Sequence, residues 1–256
     1  MGLMPKKTKK NWDFIQIDAK KQFIANFNLK KGQSVLVLCC GVGNEVFLIR
    51  EIVGEKGHVT AIDIDEEAIK KALKKNSIKG YSNVDFIVKD ASHIGEYQGM
   101  YDRVCCLFGI NYFADTESVI SNWKKCLKDS QGILGIATWQ KSYPNVVIDG
   151  FREIANSYFY STQQKKLEND NDKTKVKTWD NWREIKEMHL EYSIDFPNAL
   201  TYWNLIKGND YYKMLLSVIK DEKFRKLERE VGIFIRYINN PPVREDMRIK
   251  LIYATQ

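Results

Sequence analysis

No apolar run in this sequence approaches the roughly 18 residues that a membrane-spanning helix requires. The N-terminal stretch MGLMPKKTKKNWDF also has no apolar core of a secretory signal. The expectation is a cytoplasmic protein with no membrane span. Gly2 makes no myristoylation site, because Lys6 stands where that pattern needs Ser or Thr. There is no CxxC pair. The cysteines are Cys39, Cys40, Cys105, Cys106 and Cys126, an odd number, with vicinal pairs inside apolar runs and no histidine beside them. Read this way, the thiols are reduced, buried small hydrophobes and no metal is bound. A soft-metal site or a redox pair across neighbouring strands is the alternative. Charge of one sign is also in short supply: 40 basic residues against 33 acidic give only +7, with pI near 9.0, far from a nucleic-acid-binding tail.

The sequence does have enough apolar content, 44% of 256 residues, for one sizeable core with embellishments. The first half alternates short apolar runs with helix-period segments, which predicts βα units around a parallel sheet. Strands are expected at 34–39, 58–63, 84–88, 102–107 and 132–137, with helices over 45–53 and 66–75. Runs such as VLVL and GILGIA are apolar throughout, as strands are when helices cover both faces of the sheet. After Trp139 the rhythm changes. A polar stretch near 161–178 reads as a surface loop, a helix is expected at WDNWREIKEM, and HLEYSIDF alternates like a strand. A long helical segment over 199–238 is expected to end at Pro241 and Pro242, and Arg248–Ala254 to return as a terminal strand. The chain divides into an N-terminal helical segment (1–30), a core (31–140) and a region of lid insertions with the closing helix and strands (141–256).

The stretch SVLVLCCGVGNEVFLIREIVGEKGHVTAIDID holds two glycines after one strand and an acid at the tip of the next. Glycines at a strand–helix turn let a ligand approach the backbone, and an acid about 20 residues on can hold ribose hydroxyls. Gly41, Gly43 and Asp63 have that spacing. A dinucleotide would call for a third glycine where Val46 stands. A second acid, Asp90, ends the third strand in VDFIVKDASHI, where it can accept an adenine amine, and this favours S-adenosylmethionine.

In order, VLVLCCGVGNE, VTAIDIDEEAIKKA, VDFIVKDASHI, YDRVCCLFGINYF and GILGIATW resemble class I S-adenosylmethionine-dependent methyltransferases over roughly residues 30 to 140. The remainder is similar to the small-molecule branch related to ubiquinone/menaquinone methyltransferases (methyltransferase type 11). The resemblance implies a Rossmann-like, doubly wound, mostly parallel seven-stranded sheet with an added helical lid. It implies S-adenosyl-L-methionine as cofactor and S-adenosyl-L-homocysteine as product. It also assigns the methionine part to Gly41 and Gly43, the ribose to Asp63, adenine packing to Ile64, the adenine amine to Asp90 with Ala91, and the methionine ammonium to the carbonyl of Leu107. Cys39 lines the same loop where the family has glycine, and Val37 stands where the family has an acid. Trp12, with Phe14, is placed to close the methionine end.

Methyl transfer from a sulfonium is an in-line displacement from an activated donor, so positioning and water exclusion are the main requirements. A general base for a hydroxyl acceptor would lie past the fourth and fifth strands, where Asn111, Tyr112, Trp139 and Gln140 stand; His93 follows Asp90. His58 and His189 are read as non-catalytic. Aromatics after residue 150, among them Phe151, Tyr158, Phe159, Tyr160, Tyr202, Trp203, Tyr211 and Tyr212, suit a pocket for a small apolar or aromatic acceptor. The protein would act as a monomer or homodimer, with no nucleic-acid partner. An RNA-methylating surface and a cofactor-binding protein without transfer are the alternatives.

Overall fold

The computed structural model describes residues 6–140, 145–159, 179, 181–207 and 221–256, with the backbone alone for 6–13, 156, 159 and 221. The polar stretch at 161–178, with Tyr160, Tyr211 and Tyr212, lies outside the described residues. The apolar runs form β1 (Ser34–Leu38), β2 (His58–Asp63), β3 (Val84–Val88), β4 (Arg103–Leu107) and β5 (Ile133–Gln140). The described helices are α1 (Lys6–Asn26), α2 (Asn44–Val53), α3 (Glu66–Lys79), α4 (Thr116–Lys125), α5 (Val146–Phe159), α6 (Ala199–Ile206) and α7 (Asp221–Tyr237), and the last strands are β6 (Glu184–Phe196) and β7 (Val243–Thr255).

The sheet has seven strands in the order β3-β2-β1-β4-β5-β7-β6, the first five parallel. Val35, Leu36, Val37 and Leu38 have no exposed surface, so both faces of β1 are covered, as its unbroken apolar run requires. Strand order reverses between β1 and β4, which opens a crevice at the carboxyl ends of these strands. The cross-strand pairs Glu187–Lys250, Glu191–Arg248 and Ser193–Asp246 run in opposite order, so β6 and β7 are antiparallel.

Local chemistry sets the element ends. Asp65 caps α3 by accepting from the N–H groups of Glu67 and Ala68, and α3 runs on to Lys79 because Gly80 is the first residue to turn left-handed (φ 68°). The segment WDNWREIKEM is not a helix. Its Trp182 is buried in the core beneath Lys124, and from Glu184 the chain is already β6, where pairing with β7 outweighs the helical spacing of Trp179, Trp182 and Ile185. The region 199–238 holds two described helices, α6 and α7, with 208–220 outside the described residues. Nor do the prolines stop α7: Asn239 and Asn240 take φ values of 56° and 46°, and the Asn240 N–H donates to the Ile235 carbonyl, closing the helix first.

The chain forms two compact units. One comprises Ile17–Gln140, the segment up to Leu190 and Ile249–Gln256. Arg103, almost fully buried on β4, ties it together by donating to the carbonyls of Phe27, Asn28, Asp102 and Gln131. All five thiols are free, and four are buried. Burial pushes the Cys105 and Cys106 thiols far up and Cys126 to about 11, so these are packing groups and not nucleophiles. Cys105→Ala is expected to lower unfolding free energy by about 1 to 2 kcal/mol through the cavity left behind, with ligand binding unchanged; denaturant titration checks it.

The other unit contains α5, α6, α7 and Glu191–Arg248. Its centre is aromatic. Phe151 lies 5.4 Å from Trp203 and 6.0 Å from Tyr202 in stacked geometry, with Phe234 edge-on. Glu245 of β7 is buried against this cluster; it accepts from the Tyr202 hydroxyl at 3.2 Å, and its second oxygen, also buried, makes no hydrogen bond. Burial raises this carboxyl to about 7, against smaller lowering effects from Tyr202 and Arg152.

Candidate active site

The two glycines of the first turn have different jobs. Gly43 (φ 77°) starts α2, and a Cβ there would sit 2.8 Å from the Phe86 ring, so close packing of helix on sheet requires it. Gly41 (φ 51°) faces open space, and its bare backbone is the part a ligand can approach. Its N–H donates to Asp63 Oδ2 at 2.7 Å, while Asp63 Oδ1 accepts from Asp65 N–H at 2.9 Å. Asp63 therefore locks the β1 turn to the tip of β2 and keeps further lone pairs on both oxygens for donors from outside.

At position 39 the chain has cysteine yet takes φ 54°, the left-handed conformation a glycine would favour. Room for the side chain comes from Gly109 across the turn, where a Cβ would lie 2.5 Å from Cys39 Cβ and 2.9 Å from Cys106 Sγ. Phe108 is also left-handed, at φ 65°. Two strained residues thus stand at the tips of adjacent strands β1 and β4, the place where such strain marks a ligand site.

Exposed apolar side chains ring the same edge: Ile64 is 72% exposed, Tyr112 53% and Val88 49%. At the tip of β3, Asp90 accepts from the N–H and hydroxyl of Ser92 at 2.8 and 2.7 Å, which hold its carboxyl below the usual range. His93 Nδ1 lies 3.3 Å from the same carboxylate, so this histidine belongs to the Asp90 turn. Ala91 is buried, its carbonyl held by Trp123 Nε1 at 2.8 Å, and Leu107 is buried at the end of β4. Asn111 accepts from Thr138, and Trp139 packs tilted against Phe108 with ring centroids 4.9 Å apart, which brings the ends of β4 and β5 together. Only the backbone of Trp12 is described.

Three contacts were not read from the sequence. Lys75 donates to the Val42 carbonyl and to Asn44 Oδ1, bracing the glycine loop from α3. Glu45, almost fully buried, pairs with Lys20 at 2.7 Å and anchors α1 to the start of α2. His189, read as non-catalytic, lies with Nδ1 2.9 Å from Gln140 Oε1. Glu45 alone gave a signal, an acid in a helical first turn.

The crevice at a strand-order reversal, with glycines at one tip and acids at the next two, defines a Rossmann-like nucleoside-binding class. The family model described as Methyltransferase domain matches residues 29–194, and the chain belongs to this family of class I S-adenosylmethionine-dependent methyltransferases. It is 26% identical over 145 residues to a demethylmenaquinone methyltransferase of Listeria monocytogenes, covering 57% of this chain and 59% of that protein. The chain thus spans about three fifths of the curated relatives it matches. The YcgJ protein of Bacillus subtilis shares the fold at TM-score 0.59 and 13% identity, covering 94% of this chain and 98% of that one. Phosphoethanolamine N-methyltransferase 2 of Haemonchus contortus, solved with S-adenosyl-L-methionine, does so at TM-score 0.55 and 16% identity, over 93% of this chain and 52% of that one. Among the described residues, no helix is long and apolar enough to cross a membrane, and no cluster of His, Cys, Asp or Glu is arranged to hold a metal ion.

Proposed function

We propose that this protein transfers the methyl group of S-adenosylmethionine to a small apolar or aromatic molecule. The observation that carries the reading is the bond from the bare Gly41 backbone to Asp63, beside the exposed Ile64. In this reading the methionine part lies along Cys39, Gly41 and Gly43, and Asp63 holds the ribose. Adenine packs on Ile64, with its amine at Asp90 and Ala91. The Leu107 carbonyl meets the methionine ammonium.

The acceptor lies past β4 and β5, among Asn111, Tyr112, Trp139 and Gln140. The relative's printed name, a demethylmenaquinone methyltransferase, supports a naphthoquinol-like acceptor. The sulfonium arrives activated, so the protein's contribution is alignment of acceptor, methyl carbon and sulfur, with water kept out.

Calorimetry should give micromolar-scale binding of S-adenosylmethionine and S-adenosylhomocysteine, about −8 kcal/mol. A flat titration with both, alongside binding of NAD, overturns the reading.

A further inference from the structure

We propose that His189 is the general base for the acceptor and that Gln140 holds it in the competent tautomer. The inference rests on the methyltransferase reading above. β6 brings His189 to the carboxyl end of β5, where Nδ1 lies 2.9 Å from Gln140 Oε1. An amide oxygen only accepts, so Nδ1 carries the proton and donates, and the neutral ring presents Nε2 with its lone pair available. Nε2 makes no hydrogen bond among the described residues.

Gln140 ends the strand next to β4, beside Trp139 and Thr138, on the side of the reversal away from Asp63 and Asp90. A base at this end meets the acceptor and not the donor's nucleoside. The other histidines are elsewhere: His93 is tied to Ser92 and Asp90, and His58 pairs with Asp85 at 2.9 Å near the amino ends of β2 and β3. The charges flanking His189 on β6 are compensated, Glu187 by Lys250 at 2.8 Å and Glu191 by Arg248 at 3.1 Å, and Gln140 of β5 is neutral. The ring is exposed, so a captured proton can pass to water.

In the step, a phenolic proton of the acceptor moves to Nε2. The phenolate oxygen forms a bond to the methyl carbon, and the carbon–sulfur bond breaks with its electron pair going to sulfur. The products are a methyl ether, a neutral thioether and an imidazolium that returns its proton to solvent.

The test uses labelled S-adenosylmethionine with 1,4-naphthalenediol, kept reduced by dithionite, as acceptor. His189→Gln should lower kcat/KM about 100-fold or more and remove the acid limb of the pH–rate profile, with S-adenosylhomocysteine affinity unchanged. Gln140→Leu should shift that limb with a smaller loss of rate. Nitrogen-15 NMR of the wild-type imidazole should find the proton on Nδ1, a readout independent of how well this acceptor is used. A proton on Nε2, or a His189→Gln enzyme with unchanged rate and pH profile and intact S-adenosylhomocysteine binding, overturns this assignment alone. Absence of S-adenosylhomocysteine binding in the wild type overturns the methyltransferase reading and this assignment with it.

Discussion

Asp63→Ala is expected to weaken S-adenosylmethionine binding by about 2 to 4 kcal/mol, because each hydrogen bond to a charged group contributes roughly 1.5 to 3. That is a loss of roughly 30- to 900-fold in affinity. The range exceeds what a ribose contact alone would give. The same carboxylate also fixes Gly41 at 2.7 Å, so its loss frees the loop that meets the methionine part. Asp63→Asn should fall between, because its one remaining side-chain oxygen can still accept from one of the two backbone N–H groups that Asp63 now holds. Asp90→Ala should cost less, since packing on Ile64 survives. Calorimetry on the three variants decides the matter: wild-type affinity in Asp63→Ala would place the ribose elsewhere.

The second large effect is one of pH on stability. The Glu245 carboxyl is raised to about 7 in the folded protein from an ordinary 4.5, so the folded state holds its proton more tightly than the unfolded chain does. Below pH 4.5 the group is protonated in both states and has no effect. As pH rises from there through about 7 the folded state must ionise a buried group. Each tenfold difference in proton affinity between the two states is worth about 1.4 kcal/mol, so stability falls by about 3 kcal/mol in all. Above that window the loss is complete. Glu245→Gln cannot ionise, and its amide oxygen still accepts from Tyr202. The unfolding free energy of Glu245→Gln relative to wild type should therefore rise by about 3 kcal/mol between roughly pH 4.5 and pH 8. Parallel wild-type and variant curves in denaturant titrations across that range would refute the role given to Glu245.

How legible the molecule was from its sequence follows the physics of each part. The five parallel strands could be read because each is an apolar run bounded by turn residues, and Asp63 and Asp90 because strand tips sit at fixed offsets from such runs. β6 was misread in its first half because Glu184 to Glu187 owe their conformation to β7, some 60 residues away, and local periodicity carries no trace of that pairing. Gly43 also has a packing role that the sequence did not announce, because a Cβ there would meet the Phe86 ring of β3. The contact between His189 and Gln140 was invisible for the reason β6 was: it exists only once three strands are in register. Cys39 looked like a departure from pattern, but the backbone there takes the left-handed conformation that a glycine favours, with Gly109 giving up the space.

β7 lies between β5 and β6 although it is made after both. On a ribosome adding about 5 to 20 residues per second, the edge of β5 stays open for roughly 6 to 23 s before Val243–Thr255 has been synthesised. For that interval the nascent chain shows an unpaired, largely apolar strand, GILGIATW, whose backbone can pair with a neighbouring chain. The charged residues that alternate along β6 protect the outer edge of the finished sheet, but nothing of the kind protects the inner edge while it waits. The vulnerable moment of this molecule is therefore its synthesis, and a chain stopped at Pro242 would keep that edge open for as long as it lasts.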